Sequence, residues 1–120
     1  MATVELTAAN FDEVTERDGI VLVDFWAAWC GPCRQFAPVF ERASQRHTDI
    51  VFGKVNTDAE QELAMRYGIR SIPTVMAIRD GVIVFAQPGA LPDELLEKLI
   101  EQVRALDMDE VRRKLAERPG

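Results

Sequence analysis

Histidine and cysteine are scarce in this chain, and the scarcity narrows the chemistry before any motif is read. Its 120 residues include two cysteines, Cys30 and Cys33, and one histidine, His47. A structural zinc site wants four nitrogen or sulfur ligands, so a closed zinc centre is not expected and no metal is assigned. Basic residues are outnumbered, 14 Lys and Arg against 20 Asp and Glu, for a net charge of −6. With no basic stripe to neutralise phosphates, nucleic acid is not an expected partner. No apolar run approaches the ~20 residues of a membrane-spanning helix. Met1-Ala2-Thr3-Val4-Glu5-Leu6 shows no cationic segment followed by an apolar core, so no signal peptide is expected. The expected compartment is the cytoplasm, where a stable structural disulfide is disfavoured.

What is present is enough apolar residue, 48%, to build one core without staples or metals. Ile20-Val21-Leu22-Val23-Asp24-Phe25-Trp26 is nearly continuously apolar and reads as a fully buried strand. Val4-Glu5-Leu6 and Asp49–Asn56 are further strand candidates. Thr7 is expected to cap a helix running to about Arg17, stopped by Asp18-Gly19. A helix over 34–46 carries Phe36, Val39, Phe40 and Ala43 at helical spacing, with a kink expected where Pro38 interrupts the ladder. Asp58 is expected to cap a short helix ended by Gly68. Asp80-Gly81 between two β-rich runs predicts a hairpin. A last helix after Pro92 would bury Leu95, Leu96, Leu99, Ile100 and Val103. The β-α-β-α-β-α-β-β-α order implies an α/β fold. Its central mixed five-stranded sheet would be flanked by helices on both faces. Residues 1–106 form the expected domain and 107–120 a C-terminal extension. In that extension Asp107 and Glu110 have capping-box spacing for a short helix.

Both cysteines lie in Trp29-Cys30-Gly31-Pro32-Cys33, between the buried strand and the 34–46 helix. With zinc disfavoured by ligand count and a static disulfide by the reducing compartment, reversible thiol–disulfide exchange remains. Cys30 falls at a helix N-terminus, where unpaired N–H groups and the helix dipole favour a thiolate. It is the expected exposed nucleophile. Cys33, one turn further in, is the expected buried resolving thiol, attacking Cys30 to release the reduced substrate. Pro32 suits the first helical turn and stiffens the loop that Gly31 loosens. Asp24 is the one charge in its strand. Buried without a partner, it would be a raised-pKa group that takes the proton from Cys33. Lys54 either reaches Asp24, if their strands are neighbours, or extends to solvent.

These stretches resemble thioredoxin. The resemblance rests on Val23-Asp24-Phe25-Trp26-Ala27-Ala28-Trp29-Cys30-Gly31-Pro32-Cys33, Ala37-Pro38, Tyr67-Gly68-Ile69-Arg70-Ser71-Ile72-Pro73-Thr74, Asp80-Gly81 and Gly89-Ala90, in the family's order. It implies the thioredoxin fold and a protein-disulfide reductase, a dithiol electron carrier. It also implies a cis Pro73 against the disulfide and a backbone at Ile72 that pairs with an extended substrate. Trp29, Ile72, Pro73, Gly89 and Ala90 would form a flat apolar surface around Cys30. Reducing equivalents would come from NADPH through a separate thioredoxin reductase. The other partners would be disulfide-containing proteins, and the chain would act as a monomer. Gly31-Pro32 matches reducing members; the alternatives are an oxidase or isomerase on this fold, or a redox-independent binding or chaperone-like module. Two features depart from the family: Pro88 before Gly89, which has no N–H to donate, and the segment from Asp107.

Overall fold

The computed structural model describes residues 2–117. Strands β1 (Thr3–Glu5), β2 (Ile20–Trp26), β3 (Val51–Asn56), β4 (Thr74–Arg79) and β5 (Val82–Pro88) form one sheet in the order β1-β3-β2-β4-β5. The first three run parallel, and β4 and β5 are antiparallel, so the sheet is mixed as its connections require. The central position of β2 explains its apolar composition, since both of its faces are covered. Ile20 and Leu22 face α2 (Gly31–Arg46) and α4 (Asp93–Arg104), packing with Phe36, Phe40, Leu96 and Ile100. Val21, Val23 and Phe25 face α1 (Phe11–Thr15) and α3 (Gln61–Arg66), packing with Phe11, Leu63 and Met76. Asp24 shares the parity of Ile20 and Leu22 and therefore lies on the α2 face.

Local chemistry explains where elements begin and end. The helix expected from Thr7 is shorter. Asn10 Oδ1 accepts the Thr7 N–H at 2.7 Å, and the Thr7 carbonyl accepts from Phe11 N at 2.9 Å, closing residues 7–10 into a turn. Asp58 is likewise not a cap. Asn56 Oδ1 accepts from the N–H groups of Asp58 and Ala59, and the helix starts only at Gln61. Helix α2 runs unbroken through Pro38 to a C-cap at His47. The hairpin turn has φ of 52° at Asp80 and 80° at Gly81, the pair of positive angles that an Asp-Gly type I′ turn supplies. In α4, Leu96, Leu99, Ile100 and Val103 are buried, but Leu95 is half exposed, outside the core stripe.

Helix α5 (Met108–Ala116) follows, with Asp107 Oδ1 accepting the Glu110 N–H at 3.2 Å. Arg79 at the end of β4 donates Nη1–H to the carbonyls of Val103, Arg104 and Leu106 at 2.8, 3.2 and 2.7 Å. It thus supplies the C-terminal carbonyls of α4 with a cation. Met108 is buried at the start of α5, and Arg112 lies 3.7 Å from Asp80 in the hairpin turn.

Candidate active site

Strand β2 ends at Trp26, and four residues later Cys30 becomes the N-cap of α2. Its φ of −87° and ψ of 115° are extended, as an N-cap requires. Gly31 and Pro32 make the first turn, where the missing proline N–H leaves no helix bond unmade. Cys30 and Cys33 form a disulfide across this turn, with Cα atoms 5.2 Å apart. The Cys33 N–H points at Cys30 Sγ at 3.2 Å, one of the helix's free N–H groups aimed at the sulfur.

The split of the pair into an exposed and a buried thiol is not what the residue surfaces show. Cys30 is 5% exposed and Cys33 3%. Ala27 and the Ile72 segment before Pro73 pack against Cys30 and cover it more than the helix terminus alone would, while the neighbouring Trp29 is 68% exposed. The two sulfurs differ in what they face. Cys30 Sγ lies 3.6 Å from the Ile72 carbonyl oxygen. Cys33 instead lines a cavity of about 90 Å³ with Trp26, Ala27, Arg34, Ala37 and Lys54.

The Ile72–Pro73 peptide bond is cis, and Ile72 packs against the Ala27, Cys30 and Cys33 cluster. Pro73 is buried and Ile72 half-buried. The Pro73 carbonyl accepts from Gly89 N at 2.8 Å, so the segment after β5 is tied directly to the cis-proline loop. Gly89 makes this approach with φ of 121°, open to glycine and strained for other residues. Gly89 and Ala90 are exposed beside it. Pro88 is the residue opposite Thr74 at the end of the β4–β5 ladder.

Asp24 is fully buried, and neither of its carboxylate oxygens has a hydrogen-bond partner among the described residues. Burial pushes its pKa from 3.8 up to about 7, against the opposing pull of the Lys54 charge. Lys54 is the register partner of Asp24 on the neighbouring strand β3. Its ammonium does not bond the carboxylate. It sits 5.0 Å from the centroid of the Trp26 ring, a cation–π contact. Lys54 therefore acts on Asp24 through space. Trp26 is half-buried against the cysteine cluster rather than deep in the main core.

Two further residues belong to this site: Asp58, expected as a helix cap, and Arg34, which had no expected role. Asp58 accepts the Trp29 indole N–H, with Nε1 3.0 and 3.3 Å from its two carboxylate oxygens. Arg34 donates Nη1–H to the Ala28 carbonyl at 2.9 Å. Neither contact has a signature in local sequence, since the first spans 29 residues and the second reverses from a helix onto the loop before it.

A disulfide at the N-terminus of α2, beside a cis-proline loop, with a buried acid on the sheet face that α2 covers, defines the site of a dithiol–disulfide oxidoreductase. The thioredoxin family model matches residues 2–102. "Putative thioredoxin 2" of Streptomyces coelicolor is 58% identical over 116 residues, 97% of this chain and 87% of that protein. That alignment therefore includes most of the segment after residue 106. Thioredoxin of Bacillus subtilis is 42% identical over 103 residues, 85% of this chain and 98% of its own. Among solved structures, Plasmodium falciparum thioredoxin superposes with a TM-score of 0.76 at 37% identity, covering 83% of this chain and 97% of that one. Malassezia sympodialis thioredoxin gives 0.75 at 34%, covering 83% and 89%. The chain belongs to the thioredoxin family, and it is a protein-disulfide oxidoreductase with Cys30–Cys33 as its redox-active disulfide. Among the described residues no helix is long and apolar enough to cross a membrane.

Proposed function

We propose that the chain reduces protein disulfides with Cys30 as attacking thiolate, Cys33 as resolving thiol and Asp24 as proton acceptor. Cys30 Sγ attacks one sulfur of the substrate disulfide. The substrate S–S bond breaks, the second substrate sulfur leaves as a thiolate and takes a proton, and a mixed disulfide with Cys30 forms. Cys33 gives its proton to Asp24 and attacks Cys30 Sγ. The Cys30–Cys33 bond forms as the mixed-disulfide bond breaks, and the first substrate sulfur leaves as a thiolate that takes a proton from solvent. Two electrons have moved from the protein to the substrate.

The observation that carries this reading is the unpartnered Asp24 carboxylate, on the sheet face that α2 covers, with its pKa raised to about 7 by burial. A base with that value is half ionised at neutral pH, where proton transfer is most effective. Lys54 supports the ionised form from the next strand, and Gly31 and Pro32 shape the turn.

The backbone at Ile72 is the strand-addition edge for an extended substrate. Neither its N–H nor its carbonyl has a backbone partner among the described residues. Trp29, Pro73, Gly89 and Ala90 complete the docking surface, with Pro88 withholding one backbone donor. NADPH supplies electrons through a separate thioredoxin reductase, and the chain works as a cytoplasmic monomer on disulfide-containing proteins. The test is insulin reduction with NADPH and a thioredoxin reductase. Turnover that disappears in both Cys30→Ser and Cys33→Ser supports the reading. A folded protein that never turns over, or serine variants as active as wild type, would refute it.

A further inference from the structure

The first turn of α2 and the loop before it are joined by the disulfide, and that bond is absent in the reduced form. Three contacts span the same joint without it. The Cys33 N–H points at Cys30 Sγ at 3.2 Å, the Arg34 N–H donates to the Cys30 carbonyl at 3.2 Å, and Arg34 Nη1–H donates to the Ala28 carbonyl at 2.9 Å. The last of these is the one made by a side chain that can be replaced without touching the cysteines. It holds the residue next to Trp29 against the helix. The same guanidinium folds over the turn, with Nη2 3.9 Å from where a Cβ on Gly31 would stand. It also borders the cavity beside Cys33.

Three of the neighbouring charges on the other elements are committed elsewhere or buried, and a fourth, Arg70, is exposed. Asp58, after β3, is taken by the Trp29 indole, and Lys54 on β3 lies over Trp26. Asp24 on β2 is enclosed, and Arg70 is exposed in the segment before Ile72. Arg34 has no carboxylate within salt-bridge distance among the described residues, whereas Arg42, Arg46, Arg66, Arg79, Arg104 and Arg112 all do. Its charge is therefore left to act on the redox turn.

We infer that Arg34 is a positioning residue of the redox centre: it holds Ala28 against α2 when the disulfide is open, and its cation favours the thiolate form of Cys30. The inference rests on Cys30 being the attacking thiol. A cation beside the turn favours the ionised form of a thiol there, so removing the charge lowers the thiolate fraction below the titration midpoint.

The experiment follows alkylation of the reduced protein by iodoacetamide from pH 5 to 9, with peptide mapping of the first thiol modified. Wild type is expected to react first at Cys30. Arg34→Gln, which keeps a donor but loses the charge, is expected to move the midpoint of the rate profile up and to react at least about twofold more slowly at pH 6. Arg34→Lys, which keeps the charge, is expected to stay near the wild-type midpoint. A Gln profile superimposed on wild type, or a Lys profile displaced as far as Gln, overturns the inference alone. First reaction at Cys33 in wild type overturns the assignment of Cys30 and this inference with it.

Discussion

Replacing Asp24 by asparagine removes the charge from the centre of the sheet and leaves the shape. The carboxyl has a pKa of about 7 in the folded protein against 3.8 for the ordinary group. In the unfolded chain it ionises near the ordinary value. Between those two values the folded state therefore holds a proton that the unfolded state has lost, and stability falls as pH rises. Above about pH 7 both states are ionised and the penalty stops growing. The separation corresponds to about 4 kcal/mol at 25 °C when fully developed. At pH 5 about a third of it is present. Asp24→Asn has no such titration. Urea unfolding at pH 5 and pH 8 is the assay, and the wild-type decrease between the two is expected to exceed that of the variant by about 2–3 kcal/mol. The variant should be the more stable protein at pH 8 and the poorer catalyst. Resolution of a mixed disulfide should slow at least about tenfold at pH 7, a floor below the ~10²–10⁴-fold that one general base typically contributes. Parallel stability profiles for the two proteins, together with an unchanged resolution rate, would refute the assignment of Asp24 as a buried titrating base.

Other contacts make separate demands. Asp58→Ala releases the Trp29 indole, so Trp29 fluorescence should change and KM for insulin should rise, while melting temperature moves by no more than a few degrees. Gly53→Ala would drive a Cβ into the buried Leu6 side chain just beyond β1; chemical denaturation should show a loss of about 1–3 kcal/mol. Arg79→Met leaves three carbonyls at the end of α4 without their donor and should cost about 1–3 kcal/mol in the same assay. Truncation after Ala105 removes the buried Met108 along with α5. It should lower the melting temperature by several degrees and leave insulin turnover intact, and lost turnover in a folded truncate would instead assign α5 to partner binding.

Most of the fold was legible because its elements carry local signals. The apolar run of β2, the Asp-Gly hairpin and the helical spacing of Phe36 and Phe40 each state their own structure, and together they imply the mixed sheet. Errors fell where a side chain had two possible employers. Thr7 and Asp58 both look like helix caps, yet Asn10 and Asn56 make the turns and Asp58 serves Trp29. Leu95 fits the apolar stripe of α4 by spacing, but it lies on the stripe's outer edge. At the site, the cysteines and Asp24 declared themselves by type and context. The cis bond at Pro73 came only through family resemblance, since no local feature distinguishes it from a trans proline. The enclosure of Cys30 depends on its packing with Ala27 and with Ile72, which is 42 residues away in sequence, contacts that a helix terminus by itself does not supply.

The division of labour within the pair is tested most directly by trapping. Cys33→Ser, reduced and mixed with a disulfide-bonded peptide, should accumulate a mixed disulfide through Cys30 Sγ that survives until a reductant is added, readable by intact mass and peptide mapping. Cys30→Ser under the same conditions should accumulate little or none. A stable adduct through Cys33 in Cys30→Ser, forming as fast as the Cys30 adduct in Cys33→Ser, would contradict the account.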